Sequence, residues 1–187
     1  MNLSPILKTV SWPDEAATEN FAQTLAKRLT HLGLDGCIAL HGELGAGKTT
    51  FVRHLLRALG VSGRIKSPTY AVVEPYEVEG LHIWHFDFYR FSDPNEWEDA
   101  GFRDIFASKG LKICEWPDKA AGFLPTPDVD IRLQVHHDDS RTIELKNAPL
   151  IRQTNQNFFS RGSSGVEWRQ ISHLKLQIAD FRLETCH

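Results

Sequence analysis

The chain has 187 residues, of which 41% are hydrophobic and 24% charged, and these proportions exclude a wholly disordered or fibrous protein. The formal net charge of −3 is not the basic balance of a protein whose main task is to neutralise nucleic-acid phosphates. No apolar run reaches the roughly 20 residues of a membrane span. The three cysteines lie far apart, which suits a reducing compartment. We therefore expect a cytoplasmic protein with no membrane segment.

Helix and strand patterns alternate along the first 145 residues. Apolar side chains at three- and four-residue steps predict helices at residues 13–32 and 48–59. A capping Asp93, Pro94 at the first helical position and Glu96 three residues after the cap predict a short helix at residues 94–100. Short apolar or alternating runs predict strands at residues 37–40, 70–76, 81–88, 111–116, 129–135 and 141–145. This alternation indicates an α/β fold, and the short turn between the last two strands predicts an antiparallel hairpin.

The composition changes near residue 149, and residues 152–165 are rich in Gln, Asn, Ser, Arg and Gly. Beyond them, the apolar residues fit neither the helical nor the strand period. We therefore expect one main domain over residues 1–148 and an accessory or weakly ordered tail over residues 149–187.

A glycine-rich segment stands between the first predicted strand and the second predicted helix. Its sequence, G-E-L-G-A-G-K-T, matches the phosphate-loop pattern G-x-x-x-x-G-K-[ST] in full. Glycine permits a close backbone approach to phosphate, which the N–H groups of the loop and of the helix N-terminus then bind. The nucleotide-binding residues expected from this match and the threonine after it are Gly42, Glu43, Leu44, Gly45, Ala46, Gly47, Lys48, Thr49 and Thr50.

Two side chains of this loop have chemical roles of their own. Lys48 supplies a cation near the β- and γ-phosphates, and the Thr49 hydroxyl is placed to bind Mg²⁺. Because Lys48 stands at the start of a helix, we expect it to face solvent, so that its removal leaves the fold intact.

The phosphate loop alone does not distinguish an ATPase, a GTPase and a small-molecule kinase. The GTPase patterns D-x-x-G and N-K-x-D do not occur in the chain, which favours ATP. A kinase usually carries an Arg-rich lid, and the comparable segment here is the tail with Arg152, Arg161 and Arg169. A nucleotide-gated binding module, in which bound ATP alone docks a partner, is a further alternative.

Two acidic residues each follow a predicted buried strand, where a carboxylate is costly unless it is paired or binds a metal. Asp87 and Glu115 are therefore candidates for the second magnesium ligand and for the group that orients the attacking water. The sequence does not decide which of the two carboxylates has which role. In P-loop switch proteins, a threonine in the region of Thr69, in the segment 66–70, closes over the γ-phosphate. Read alone, Ser-Pro-Thr in this segment is an ordinary turn, and that alternative stays open. Together with Lys48, these three residues form the expected catalytic set.

Two histidines precede Asp87 on the same predicted strand. His82 and His85 are three residues apart, so their side chains point to opposite faces and are not expected to bind one metal. We interpret both of them as structural residues.

Four motifs occur in a fixed order, namely G-E-L-G-A-G-K-T-T, K-S-P-T-Y, H-F-D-F-Y-R and E-W-P. This set resembles the bacterial TsaE family, small ATPases required for threonylcarbamoyladenosine (t6A) biosynthesis in tRNA, and the resemblance runs over residues 12–145. It implies a P-loop NTPase-like domain with a mainly parallel central sheet, flanking helices and a C-terminal antiparallel hairpin. It also implies that ATP and Mg²⁺ are the cofactors.

The resemblance also implies roles for individual residues. Thr49 and Glu115 correspond to magnesium-site residues, and Asp87 belongs to the acidic pair near the γ-phosphate. Trp12 matches the family's N-terminal segment beside the nucleotide, and Arg141 matches a position near it.

The family resemblance further implies partners. ATP hydrolysis is expected to be weak in the isolated chain and stimulated by the threonylcarbamoyl-transferase subunit and its inactive paralogue. These partners are expected to dock around residues 66–70 and the helix that follows the phosphate loop. Contact with tRNA is expected to be only indirect.

Overall fold

The computed structural model describes residues 6–31, 33, 35–93 and 95–146. The tail expected over residues 149–187, with its three arginines, lies outside these ranges. Helices within the described part of the chain are too short or too polar to cross a membrane.

Seven strands of the described chain form one sheet in the order β1-β7-β6-β2-β5-β4-β3. Their bounds are β1 Ile6–Trp12, β2 Gly36–His41, β3 Val73–Val78, β4 Leu81–Asp87, β5 Leu111–Glu115, β6 Val129–Val135 and β7 Arg141–Lys146. The four central strands, β4, β5, β2 and β6, are parallel, whereas β6 and β7 form an antiparallel hairpin. The predicted mainly parallel central sheet and the predicted hairpin are therefore confirmed.

Four α-helices accompany the sheet in the described ranges. They are α1 Glu15–His31, α2 Lys48–Ala58, α3 Asn95–Asp99 and α4 Phe102–Ala107, and a single 3-10 turn covers Pro117–Ala120. The Asp14 carboxylate accepts a hydrogen bond from the Ala17 N–H at 2.8 Å and so caps the start of α1. The apolar face of α2 is fully buried, which explains why its helical period was readable.

Three features of the fold differ from the elements predicted from the sequence. Strand β1 was not predicted, because it is an edge strand that exists by antiparallel pairing with β7. Helix α4 was not predicted either, since it has only six residues. Strand β3 begins at Val73 rather than at residue 70, because a turn precedes it in which the Val72 N–H donates to the Pro68 carbonyl at 2.6 Å.

The carboxyl ends of the parallel strands position the candidate site. Strand β2 lies between β5 and β6 and leads directly into the phosphate loop. Asp87 at the end of β4 is the register partner of Glu115 at the end of β5. Ligands of open α/β sheets bind at this edge, so the fold gathers the predicted residues where a ligand is expected.

Candidate nucleotide-binding site

The phosphate loop joins β2 to α2 in a conformation that its glycines permit. Gly42, Gly45 and Gly47 have φ angles of +145°, +82° and +97°. A Cβ at Gly42 would stand 2.6 Å from the carbonyl oxygen of Leu133 on β6, whereas open space surrounds the Cβ position of Gly45. The loop therefore packs tightly against the sheet on one side and leaves room on the other.

The N-terminus of α2 is suited to bind an anion. Gly47 is its N-cap and provides no side-chain cap, and the first turn contains no acidic residue. The first N–H groups of an α-helix have no partner within the helix, and the helix dipole favours negative charge there. The open space at Gly45, the N–H donors of the helix start and a nearby lysine together fit the phosphate groups of a nucleotide.

Lys48 is buried, so the expectation that it faces solvent was wrong. Its side chain is 4% exposed, because the loop folds back over it and the Trp116 ring covers it at 3.8 Å from the ring centroid. Its Nζ donates to the carbonyl oxygens of Gly42 at 2.7 Å and Glu43 at 2.9 Å. Burial lowers the pKa of Lys48 from its usual value, although nearby carboxylates oppose the shift.

Thr49 and Glu115 meet at the edge of the site. The Thr49 hydroxyl, on the first turn of α2, donates to Glu115 Oε2 at 3.0 Å. Glu115 is 2% exposed, at the end of β5. A hydroxyl and a carboxylate are oxygen ligands of the kind that Mg²⁺ takes in phosphate sites, so this pair fits the expected metal.

Asp87 lies beside Glu115 but bonds to a different set of groups. Its Oδ2 accepts hydrogen bonds from the Ser67 hydroxyl at 2.5 Å and the Thr69 hydroxyl at 2.6 Å. Its Oδ1 accepts one from the Tyr89 N–H at 3.0 Å. Asp87 therefore ties the 66–70 segment, with its predicted switch threonine, to the end of β4.

Arg141 and Trp12 are register partners on β7 and β1, but their side chains differ in their relation to the loop. The Arg141 Nε donates to the Ala46 carbonyl at 3.0 Å, so this side chain contacts the loop, and its place near the nucleotide stays a prediction. The Trp12 ring is 1% exposed and packs on Phe21 and Phe51, with centroids 5.2 and 5.7 Å away. Its predicted place beside the nucleotide stays a prediction.

The remaining loop residues differ in how far they are exposed to solvent. Ala46 is buried, Thr50 is partly exposed, and Glu43 and Leu44 are exposed, with Leu44 at 73%. The structure thus brings Glu115 and Arg141 into contact with the loop predicted from the sequence, and it brings Thr69 to Asp87, which lies beside Glu115.

Sequence reasoning missed two residues of the site. Ser67 was quoted only as part of a motif, yet it bonds to Asp87. His85 was interpreted as structural, yet its Nε2 lies 2.8 Å from Glu115 Oε1. The signal for His85 was its separation of two residues from Asp87, which places both on one face of the strand.

Comparison with known proteins identifies the family. A family model described as "Threonylcarbamoyl adenosine biosynthesis protein TsaE" matches residues 12–143, well over half of the chain. The chain belongs to the TsaE family. This TsaE-family chain is 42% identical over 145 residues to the "tRNA threonylcarbamoyladenosine biosynthesis protein TsaE" of Haemophilus influenzae, an alignment that covers 76% of the chain and 88% of that protein.

Other TsaE proteins and a solved structure are also similar. The protein of the same name in Rickettsia bellii is 32% identical over 71% of this TsaE-family chain and 90% of its own length. The crystal structure of YdiB from Bacillus subtilis superposes with a TM-score of 0.59 at 22% identity, covering 83% of this chain and 99% of that one. At this identity the structural likeness supports the fold alone.

Proposed function

We propose that this TsaE-family chain is a Mg²⁺-dependent ATPase that acts in the biosynthesis of threonylcarbamoyladenosine in tRNA. The contact between Thr49 and Glu115, next to a complete phosphate loop, carries the ATPase part of the proposal. The names of the related proteins support the biosynthetic part.

The bound nucleotide and metal each have residues that fit them. The loop N–H groups and Lys48 would hold the phosphates, and Thr49 with Glu115 would hold Mg²⁺. When bound, Mg²⁺ neutralises charge that develops on the phosphate oxygens. Catalysis by the chain's own residues is then a matter of positioning and electrostatics.

The contacts of the two carboxylates suggest a division of roles that the sequence left open. Glu115 contacts the Thr49 hydroxyl, so we assign it to the metal. Asp87 contacts the Thr69 hydroxyl, so we assign it to the attacking water, whose proton its Oδ2 would accept once Thr69 turns toward the γ-phosphate.

Exposed apolar side chains support a partner docked at the mouth of the site. Leu44 in the loop and Tyr70 at the end of the 66–70 segment are 73% and 85% exposed. The Arg90 guanidinium lies 4.2 Å from the Tyr70 ring centroid and adds a cation to this surface. We propose that the threonylcarbamoyl-transferase subunit and its inactive paralogue dock here and stimulate hydrolysis, and that tRNA is reached through them.

Release of inorganic phosphate from ATP tests the proposal. We expect slow release that requires Mg²⁺, needs no second substrate as acceptor, and rises when both partner proteins are added. A small-molecule kinase would instead transfer the γ-phosphoryl group to its acceptor, so that ADP forms without release of inorganic phosphate. A nucleotide-gated binding module would dock its partners equally well with a non-hydrolysable ATP analogue, and its hydrolysis would not respond to them.

A further inference from the structure

A buried histidine contacts the carboxylate that the proposed function assigns to the metal. His85 Nε2 lies 2.8 Å from Glu115 Oε1, and the two side chains are 0% and 2% exposed. When Glu115 is ionised, its carboxylate only accepts hydrogen bonds, and Nε2 is then the donor of this pair. The other ring nitrogen, Nδ1, is buried and has no hydrogen-bond partner among the described residues.

The sheet register explains why these two side chains meet. Asp87 pairs with Glu115 across β4 and β5, and His85 pairs with Ile113. Side chains two residues apart on a strand share a face, so His85 stands diagonally beside Glu115. The carboxylate is thereby divided between two partners, with Oε1 bound by His85 and Oε2 by the Thr49 hydroxyl.

We propose that His85 is a positioning residue of the magnesium site, which holds Glu115 Oε1 so that Oε2 faces Thr49 and the metal. This inference rests on the proposed function, because it needs Glu115 to be a metal-site residue. Among the described residues, His85 hydrogen-bonds to Glu115 and not to the phosphate loop, so we expect it to affect binding of the metal rather than of the phosphates.

Stability alone is a poor explanation for a histidine at this position. One buried nitrogen of the ring has no partner among the described residues, and an unsatisfied buried polar atom disfavours the folded state. An apolar side chain would avoid that cost, although it would leave Glu115 Oε1 without its partner. Residues that orient a metal ligand typically change metal affinity by about 10–100-fold when they are replaced.

A set of variants separates positioning from mere packing. His85→Gln keeps an amide nitrogen near the place of Nε2. In His85→Asn the side chain is too short for its amide to reach Glu115. His85→Phe fills the space without a hydrogen-bond donor. The Asn and Phe variants both lose the contact with Glu115 but differ in polarity, so the test can still be made if one of them fails to fold. His82→Gln, on the same strand and exposed, is the matched control.

The measurement is the Mg²⁺ concentration that half-maximally strengthens binding of a fluorescent ADP analogue, which requires no turnover. For the Asn and Phe variants we expect this midpoint to rise about tenfold or more, with affinity in EDTA unchanged, while His85→Gln and His82→Gln stay within about threefold of wild type. Wild-type midpoints in the folded Asn or Phe variant would overturn the inference and leave the proposed function intact. A wild-type chain that binds the analogue without any effect of Mg²⁺ would overturn both.

Discussion

Lys48 is a buried cation whose amine donates hydrogen bonds to two carbonyl oxygens of its own loop. Its two hydrogen bonds to the loop keep the amine at the place where phosphate oxygens are expected. A phosphate oxygen is a stronger acceptor for an ammonium group than a neutral carbonyl, so a bound phosphate can replace these carbonyls.

We expect Lys48→Ala to weaken binding of ATP by at least about tenfold, because a charge-assisted contact to phosphate contributes more than about 1.4 kcal/mol. The chain should still fold, since the freed carbonyls of Gly42 and Glu43 are not fully buried and water can reach them. Isothermal titration with ATP measures the affinity, and a thermal melt checks the fold. The exposed Lys109→Ala is the control, and equal ATP affinities in the two variants would contradict the phosphate-loop assignment.

Asp87 and Glu115 should respond differently to isosteric neutralisation. We expect Asp87→Asn to lower partner-stimulated ATP turnover by at least about tenfold while the Mg²⁺ dependence of nucleotide binding is kept, because Asp87 bonds to the switch threonine. Glu115→Gln should weaken that Mg²⁺ dependence itself, because Oε2 belongs to the pair with Thr49. Rates of phosphate release and Mg²⁺ titrations of nucleotide binding distinguish the variants. If Asp87→Asn changed the Mg²⁺ dependence and Glu115→Gln changed only the turnover, Asp87 would be the metal ligand and Glu115 the group that orients the water.

The phosphate loop packs against the neighbouring strand β6 at Gly42. Gly42 has a φ of +145°, and a Cβ there would stand 2.6 Å from the backbone oxygen of Leu133, an atom that cannot move aside without shifting the strand. Gly122 also has a positive φ, +91°, but a Cβ there would meet nothing within 4 Å. Comparing alanine substitutions at Gly42 and Gly122 therefore distinguishes the cost of a steric clash from the cost of a positive φ angle.

We expect Gly42→Ala to reduce the free energy of unfolding by about 1–3 kcal/mol more than Gly122→Ala does, because overpacking adds to the strain that both share. Urea unfolding at constant protein concentration measures the difference. Gly42→Ala should also weaken nucleotide binding, since the shifted loop no longer fits the phosphates. Equal costs for the two variants would mean that the loop is free to move away from β6.

His41 links the end of β2 to two neighbouring elements. Its Nδ1 lies 3.0 Å from Asp118 in the 3-10 turn, and its Nε2 lies 3.3 Å from Asp130 on β6. Burial alone would lower the pKa of His41, but the hydrogen bonds and negative charges of Asp130 and Asp118 outweigh it and raise the pKa. The folded state therefore favours the protonated imidazole.

This raised pKa predicts how the stability depends on pH. The contribution of His41 is fully present below its unfolded pKa of about 6.5 and is lost as the pH rises through the higher folded value. The difference in free energy of unfolding between wild type and His41→Gln should therefore be larger at about pH 5.5 than at about pH 8.5. Urea unfolding at both pH values tests this, and a difference that does not change with pH would contradict it.

The charge of the whole molecule bears on its relation to tRNA. With a formal net charge of −3, the chain gains little from releasing the counterions of nucleic-acid phosphates. We expect the isolated protein to show no submicromolar affinity for tRNA at about 150 mM salt, as measured by filter binding. Submicromolar binding would contradict indirect recognition, and replacing Arg152, Arg161 and Arg169 with alanine would then show whether the tail provides the contact.

The sequence by itself determined those features that depend on neighbouring residues in the chain. The phosphate loop was readable because backbone geometry demands glycines, a lysine and a threonine at fixed spacing. The central strands and the helices α1 and α2 were readable because burial on one or both faces imposes a period on their residues. The family resemblance then supplied Trp12 and Arg141, whose roles no local pattern indicated, and it supported the switch role of Thr69.

What only the tertiary structure decided depends on residues far apart in the chain. Strand β1 has its hydrogen-bond partners on β7, more than a hundred residues later, so its own residues carry too weak a signal. The burial of Lys48 requires Trp116 to fold over it, and the contact between His85 and Glu115 requires two strands to pair in one register. The physical reason is that side-chain direction follows from the strand period, whereas the partner it meets follows from which strands lie side by side and in which register.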